Sequence, residues 1–217
     1  MREAHRLTGV PVRRIRRWTR GYHFQYKGKE RFSPPVVATD IPTSLSASAI
    51  TFADLLEVRF LNAFREHGVS WGAVRIASQR AADILGLRHP FSSRRFSTDG
   101  RTILADLVSE TGDEVLLDLV RNQYELRRLI DQYLHGEIDF GGHDEPVRWW
   151  PMPGSSRIVI DPHRALGAPI VNVEGVPTQV LARAAAVEDS IEVVAALFDV
   201  DPESVAEAVE FERSRPS

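Results

Sequence analysis

The sequence predicts a mainly α-helical protein with small β-hairpins: a helix-turn-helix head, a helical middle and a compact trihelical tail. Three observations carry this. Apolar residues recur at helical spacing through most of the chain. Glycine and proline fall where one helix ends and another begins. The charge is divided unevenly: residues 1–32 hold ten Lys/Arg against two acids, a balance of +8, so the rest of the chain sums to −11.

Glu3 to Thr8 reads as the end of a first helix and Val12 to Arg20 as a second. Gly9-Val10-Pro11 separates them, because glycine accepts the left-handed turn and proline starts the next helix; Gly21 is the stop. Residues 22–45 are irregular apart from a wing or hairpin around Lys27-Gly28-Lys29, where Tyr22, Phe24, Tyr26 and Phe32 mix with Lys27, Lys29 and Arg31. Ser33-Pro34-Pro35 and Pro42-Thr43-Ser44 read as connecting chain. Phe52, Leu55, Leu56, Phe60 and Phe64 share one face of a helix over 52–66, and Trp71, Val74, Ala77, Ala81 and Ile84 point inward from a helix over 70–85.

Phe91 to Val108 predicts a β-hairpin, with Thr98-Asp99-Gly100-Arg101 as its turn. Asp113 to Leu134 is helical, with Leu116, Leu117, Val120, Tyr124 and Leu134 apolar. Gly141 to Pro146 is a loop, while Arg148 to Pro151 and Arg157 to Ile160 are short extended pieces. Between those pieces, Pro151 to Ser156 predicts the domain boundary, with Trp149-Trp150 packing the joint in preference to forming a contact site. Three helices close the chain: Pro177 to Val187; Ser190 to Phe198, opened by Asp189 with Glu192 as a capping box; and a last one capped by Asp201 with Pro202 in its first turn. The domains are then a DNA-reading head at 1–45, a middle at 46–150 that completes the winged fold and dimerises, and an interaction domain at 157–217.

The absence of cysteine among 217 residues excludes disulfides, thiolate metal sites and a cysteine nucleophile. No apolar run approaches the ~20 residues that span a bilayer, and the N-terminus lacks the apolar stretch of a signal peptide, so a cytoplasmic location is expected. None of the seven histidines has zinc-like spacing with a third ligand. Gly141-Gly142-His143-Asp144-Glu145 reads as a connector rather than a metal site. No phosphate loop, dinucleotide fingerprint or nucleophile elbow occurs, and no carboxylate pair is marked out for acid–base work. The expectation is a non-enzyme with no metal and no cofactor.

Function concentrates in residues 3–18. Ala4 is small enough for two helices to cross, and Leu7, Val10, Ile15 and Trp18 fill the core between them. Arg13, Arg14, Arg16, Arg17 and Arg20 are left on the outside of the second helix, which suits the major groove. Arginine either pairs with guanine or clamps phosphate. The DNA-binding set is therefore these five arginines with Tyr22, Lys27 and Lys29.

Ala4 to Arg16, with Thr8-Gly9-Val10 and Ile15-Arg16, resembles the reading head of MerR-type regulators; Thr51 to Arg59, followed by Gly68-Val69-Ser70, resembles the second helical pair of that fold. The resemblance implies a MerR-like winged helix-turn-helix. In the tail, Arg157 to Pro162, Gly167 to Val171 and Gly175 to Thr178, followed by three helices, are similar to a small trihelical domain of bacterial antitoxins, with Val173-Glu174-Gly175-Val176-Pro177 in place of the usual Gly-Thr-Arg-Ile-Pro. Head, middle and tail together resemble a VapB-type antitoxin. That implies operator DNA and a PIN-domain ribonuclease toxin as partners, with autorepression of the operon. A homodimer is expected, because one short recognition helix reads only a half-site.

The tail helices have helix-turn-helix spacing, but Glu188 to Glu212 contains nine acids and no Lys or Arg, which repels phosphate. This face either meets a basic protein partner, with Glu203, Glu207 and Glu210 as candidate contacts, or is simply solvated. Two other functions remain open at this level: a MerR-like regulator without a toxin partner, and a protein-interaction adaptor with a basic nucleic-acid-binding head.

Overall fold

In a computed structural model the chain is mostly helical and divides into two compact units, Met1–His135 with Gly142–Glu145, and Gly136–Gly141 with Pro146–Ser217. The structure describes residues 1–39, 41, 49–122, 128 and 137–216.

The first unit opens with α1 (Arg2–Thr8) and α2 (Val12–Arg20), then the hairpin β1 (Tyr22–Tyr26) and β2 (Lys29–Ser33). It continues with α3 (Phe52–Glu66), α4 (Trp71–Leu85), α5 (Arg94–Thr111) and α6 (Glu114–Arg121). Polar residues start the longer helices. Thr51 and Asp54 form a capping box on α3, with Thr51 Oγ1 accepting from Asp54 N at 3.0 Å and Asp54 Oδ2 accepting from Thr51 N at 2.8 Å. Ser70, Ser93 and Asp113 cap α4, α5 and α6. The core between α3 and α5 is aromatic: Phe91 stacks on Phe60 at 5.2 Å, and Phe96 meets both rings edge-on at 4.8 and 5.2 Å.

The segment 94–111 is helical where the turn chemistry predicts a hairpin. Phe96, Ile103, Leu104 and Leu107 are all buried and share one helical face. Ser93 Oγ accepts from Phe96 N at 3.3 Å to start the helix. Gly100 is a packing residue, not a turn residue: a Cβ there would lie 2.9 Å from the Phe96 ring. Two smaller differences follow. Ile84 is exposed on α4, and Leu85 is the buried residue of that turn. Of the helix predicted over 113–134, α6 ends at Arg121 and Arg128 is again helical; Tyr124 and Leu134 lie outside the described residues, as do Pro42, Thr43 and Ser44.

The second unit holds a four-stranded antiparallel sheet in the order β3 (Ile138–Phe140), β4 (Pro146–Trp149), β5 (Ile158–Ile160) and β6 (Pro169–Val171). Helices α7 (Thr178–Glu188), α8 (Ile191–Phe198) and α9 (Pro202–Ser214) follow. Trp149 is buried at the centre of the sheet, opposite Ile138 on one side and Ile160 on the other. The boundary expected at Pro151–Ser156 is thus the link between two paired strands, and the division of the chain falls near 136–146 instead. Trp149 packs the interior of a sheet; its Nε1 donates to Glu137 Oε2 at 3.2 Å. Leu181, Val194, Val205, Ala208 and Phe211 form the helical core. Ser190, not Asp189, caps α8, accepting from Val193 N at 3.3 Å, while Asp189 takes a left-handed conformation that ends α7.

Candidate nucleic-acid interface

The turn between α1 and α2 is built by four residues. Gly9 sits at φ 71°, the left-handed region. Thr8 Oγ1 donates to Ala4 O at 2.7 Å and accepts from Val10 N at 3.2 Å, so one hydroxyl ties the end of α1 to the turn. Ala4, Val10, Ile15 and Trp18 are buried as the spacing predicts, whereas Leu7, expected in the same core, is only half-buried. Trp18 also stacks on Trp71 of α4, with centroids 5.4 Å apart, so the second helix is seated on the helical body behind it.

The five arginines of α2 divide into three groups. Arg13, Arg16 and Arg17 are exposed and lie three and four residues apart on one face. Arg14 is also exposed but sits on the flank: its Nη1 donates to Asn62 Oδ1 at 3.3 Å, and Asn62 Nδ2 donates to Glu66 Oε1 at 2.7 Å, so α3 fixes its direction. Arg20 departs from the expectation that all five point outward. It is half-buried, and its Nη2 is enclosed without a hydrogen-bond partner.

Lys27 at φ 50° and Gly28 at φ 73° close the hairpin, two consecutive left-handed residues being the geometry of a tight two-residue turn. Lys27 and Lys29 stand exposed at its tip. Tyr22 is half-buried under Arg17, whose guanidinium lies 4.7 Å from the ring centroid, so α2 and the hairpin form one continuous surface. The hairpin is held from behind. Arg75 of α4 donates to Ser33 Oγ at 2.8 Å and Pro34 O at 3.1 Å, and Val36 N and Val37 N both donate to Trp18 O.

Between α2 and the helices behind it lies an open cleft of about 460 Å³, bordered by Arg13, Arg14, Arg17, Arg65 and Trp71. Asn62, Arg65, Glu66, Trp71 and Arg75 were not singled out as interface residues by sequence. Each belongs to an ordinary amphipathic helix, and only the tertiary fold brings them beside α2.

The base of this scaffold is a buried polar cluster at the start of α3. His89 Nε2 meets Asp54 Oδ1 at 2.9 Å, and Thr39 Oγ1 donates to Asp54 Oδ2 at 2.7 Å. Burial alone would raise the Asp54 carboxyl; the hydrogen bonds from His89, Thr39 and Thr51 outweigh it and hold the group below its usual range. Glu57, one turn on, is fully buried, and burial pushes it up to about 8 despite nearby His89 and the amides of Ser92 and Phe91.

In the second unit, the three candidate partner contacts have different surroundings. Glu203 is exposed and paired with Arg157, which also reaches Asp201 at 3.6 Å. Glu207 accepts from Ser155 Oγ at 2.6 and 2.7 Å, fastening α9 to the β4–β5 link. Glu210 is exposed and borders a groove of about 940 Å³ that also touches Ala185, Ala186, Asp189, Ile191 and Val209. Among the described residues no group of His, Asp or Glu is placed to hold a metal ion, and no helix is long and apolar enough to cross a membrane.

A glycine-turned helix pair, an arginine-faced second helix and a basic hairpin give the N-terminal region the form of a helix-turn-helix. Residues 1–78 match the family described as "Putative DNA-binding HTH domain". Over 96% of this chain and 90% of the relative, the sequence is 25% identical to "Putative antitoxin VapB45" of Mycobacterium tuberculosis. The crystal structure of Rv2018 from Mycobacterium tuberculosis has the same fold, with a TM-score of 0.73 at 24% identity, covering 96% of this chain and 95% of that one.

Proposed function

We propose that this protein is the antitoxin of a toxin–antitoxin pair, binding operator DNA through its head to repress its own operon and neutralising a PIN-domain ribonuclease through its tail. The observation that carries the reading is the outward row Arg13, Arg16 and Arg17 on a helix whose Trp18 stacks on Trp71 of α4, in a chain similar along nearly its whole length to "Putative antitoxin VapB45". In this reading Arg13, Arg16 and Arg17 enter the major groove of DNA, Arg14 clamps a phosphate from the flank, and Lys27 and Lys29 reach the adjoining backbone. Two copies reading two half-sites supply the affinity that one short helix lacks. The tail meets the toxin through its acidic helices. Glu203 and Glu207 serve chiefly to hold α9 in place, which leaves Glu210 as the strongest of the three contact candidates.

The test is co-expression with the product of the adjacent small gene, followed by affinity purification, a ribonuclease assay on that product with and without this protein, and a binding assay on the upstream DNA. A stable complex with suppressed ribonuclease activity and sequence-specific DNA binding is the expected result. DNA binding without a complex would refute the antitoxin reading and leave a regulator; weak, sequence-blind binding with a steep salt dependence would refute the operator reading.

A further inference from the structure

We propose that one face of the β1–β2 hairpin binds the unpaired bases of single-stranded nucleic acid through Phe24 and Tyr26, beside the groove-reading surface of α2 and sharing the cations Arg17, Lys27 and Lys29 with it. The pairing register sorts the hairpin into two unlike faces. Tyr22, Phe24 and Tyr26 alternate along β1 and so share a side. Arg31 lies opposite Phe24 and Lys29 opposite Tyr26, which puts both cations on that same side. The other face carries His23, Gln25, Glu30 and Phe32, including the only acid of the two strands. There the His23 ring lies 5.0 Å from the Phe32 ring, and Phe32 leans on Gly21, where a Cβ would lie 2.6 Å from its ring. The first face is therefore a row of aromatic rings among positive charges, with no carboxylate.

Two of the three rings are accessible, Tyr22 being half-buried, and on the opposite face Phe32 is exposed as well. Phe24 is 38% and Tyr26 50% exposed, an unusual degree of exposure for large aromatic side chains. Cations attend them: Arg17 lies 4.7 Å from the Tyr22 centroid, and Arg31 and Lys27 lie 5.5 and 5.6 Å from that of Tyr26. Rings on alternate residues of a strand recur at ~7 Å, a repeat that follows an extended chain. Cations alone would suffice to hold the backbone of a duplex. The π-faces are used only by bases that are not already paired and stacked, and rings interleaved with cations are the general means of holding a single strand without reading its sequence. The shared chemistry is an unpaired base on a phosphate chain, whether DNA or RNA.

The test uses the full chain and labelled oligothymidylate and oligouridylate of about 15 nucleotides, beside a duplex of matched length, with affinities read by fluorescence anisotropy at low salt. The wild-type protein is expected to bind at least one homopolymer; tighter binding of one over the other identifies DNA or RNA as the source. Phe24→Ala and Tyr26→Ala should each weaken that binding roughly tenfold or more, change duplex affinity by less than about threefold, and leave the melting curve unaltered. Tyr26→Phe should retain binding. Tyr26→Leu, which keeps the apolar contact and removes the ring, should lose it, so the conclusion does not hang on the alanine variants folding. Unchanged single-strand affinity in these variants, no single-strand binding by the wild type, or an equal loss on duplex would overturn the proposal. No specific duplex binding by the wild type, with its single-strand binding intact and lost in the variants, would instead overturn the operator reading and leave this one standing.

Discussion

Replacing Glu57 by glutamine should make the first unit more stable at alkaline pH and flatten its pH dependence. Glu57 is 1% exposed, and its Oε1 accepts from Ser92 N at 3.1 Å. Its carboxyl is pushed from the usual 4.5 to about 8. Below 4.5 the group is protonated whether the chain is folded or unfolded, and it costs nothing. As pH rises from 4.5 towards 8, the unfolded chain releases the proton while the folded one keeps it, so stability falls steadily across that window. At about 1.36 kcal/mol per pH unit, the full gap corresponds to roughly 5 kcal/mol, reached above pH 8. Asp54 works in the opposite sense: its carboxyl is held low, so the stability it contributes is lost only as pH falls below its usual 3.8. Glutamine keeps the shape and the oxygen that accepts from Ser92 but has no proton to lose. Denaturant unfolding of both proteins at pH 5, 6.5 and 8.5 is the assay. The two should be close at pH 5 and diverge progressively, with the variant several kcal/mol ahead at pH 8.5. Parallel curves across this range would refute the placement of a neutral carboxyl at this site.

Four further outcomes are expected. Arg13→Ala and Arg16→Ala each weaken operator binding by about 1–3 kcal/mol where the side chain reads a base, as measured by gel shift on upstream DNA; unchanged affinity in both would remove α2 from the interface. Trp18→Ala removes the ring seated on Trp71 and destabilises the head by about 3–5 kcal/mol, visible as a lower first transition in a thermal melt. Asn62→Ala frees Arg14 and weakens DNA binding only a fewfold, whereas Arg14→Ala weakens it more and also lowers the salt dependence by about one ion. Glu207→Ala loses the bond to Ser155 and destabilises the second unit by about 1 kcal/mol with toxin binding intact, whereas Glu210→Arg keeps the fold and lowers toxin affinity in a pull-down.

The head was legible in the sequence because its determinants are local. Gly9, Pro11, Gly21 and Gly28 each act on a backbone within two or three residues of themselves, and Ile15 and Trp18 bury on a helix whose period is fixed. The same holds for the tail, whose three helices start and stop close to the expected residues. The hairpin reading of 91–108 failed because Asp99-Gly100 is a turn signal only if its neighbours are free to pair as strands. Here Phe96, Leu104 and Leu107 were drawn into a helical core with Phe60 and Phe91, and tertiary burial overrode the turn preference. Arg20 was read outward from charge alone, yet it lies at the end of α2 and is half-buried. The residues that support the interface, Asn62, Trp71 and Arg75, act across 40 or more positions of sequence, and no local pattern marks them.

The way the chain alternates between its two units bears on how such proteins can be recombined. Residues 136–141 belong to the second unit, 142–145 return to the first, and 146 onward belong to the second again, with Arg94 N donating to Asp144 O at 3.0 Å inside the first. No single crossover in the gene separates the two units. A graft that moves the tail to another head must take β3 along, and with it a four-residue loop whose hydrogen-bond partner stays behind on α5. Exchange of tails between heads is thereby confined to parents whose α5 can receive that loop.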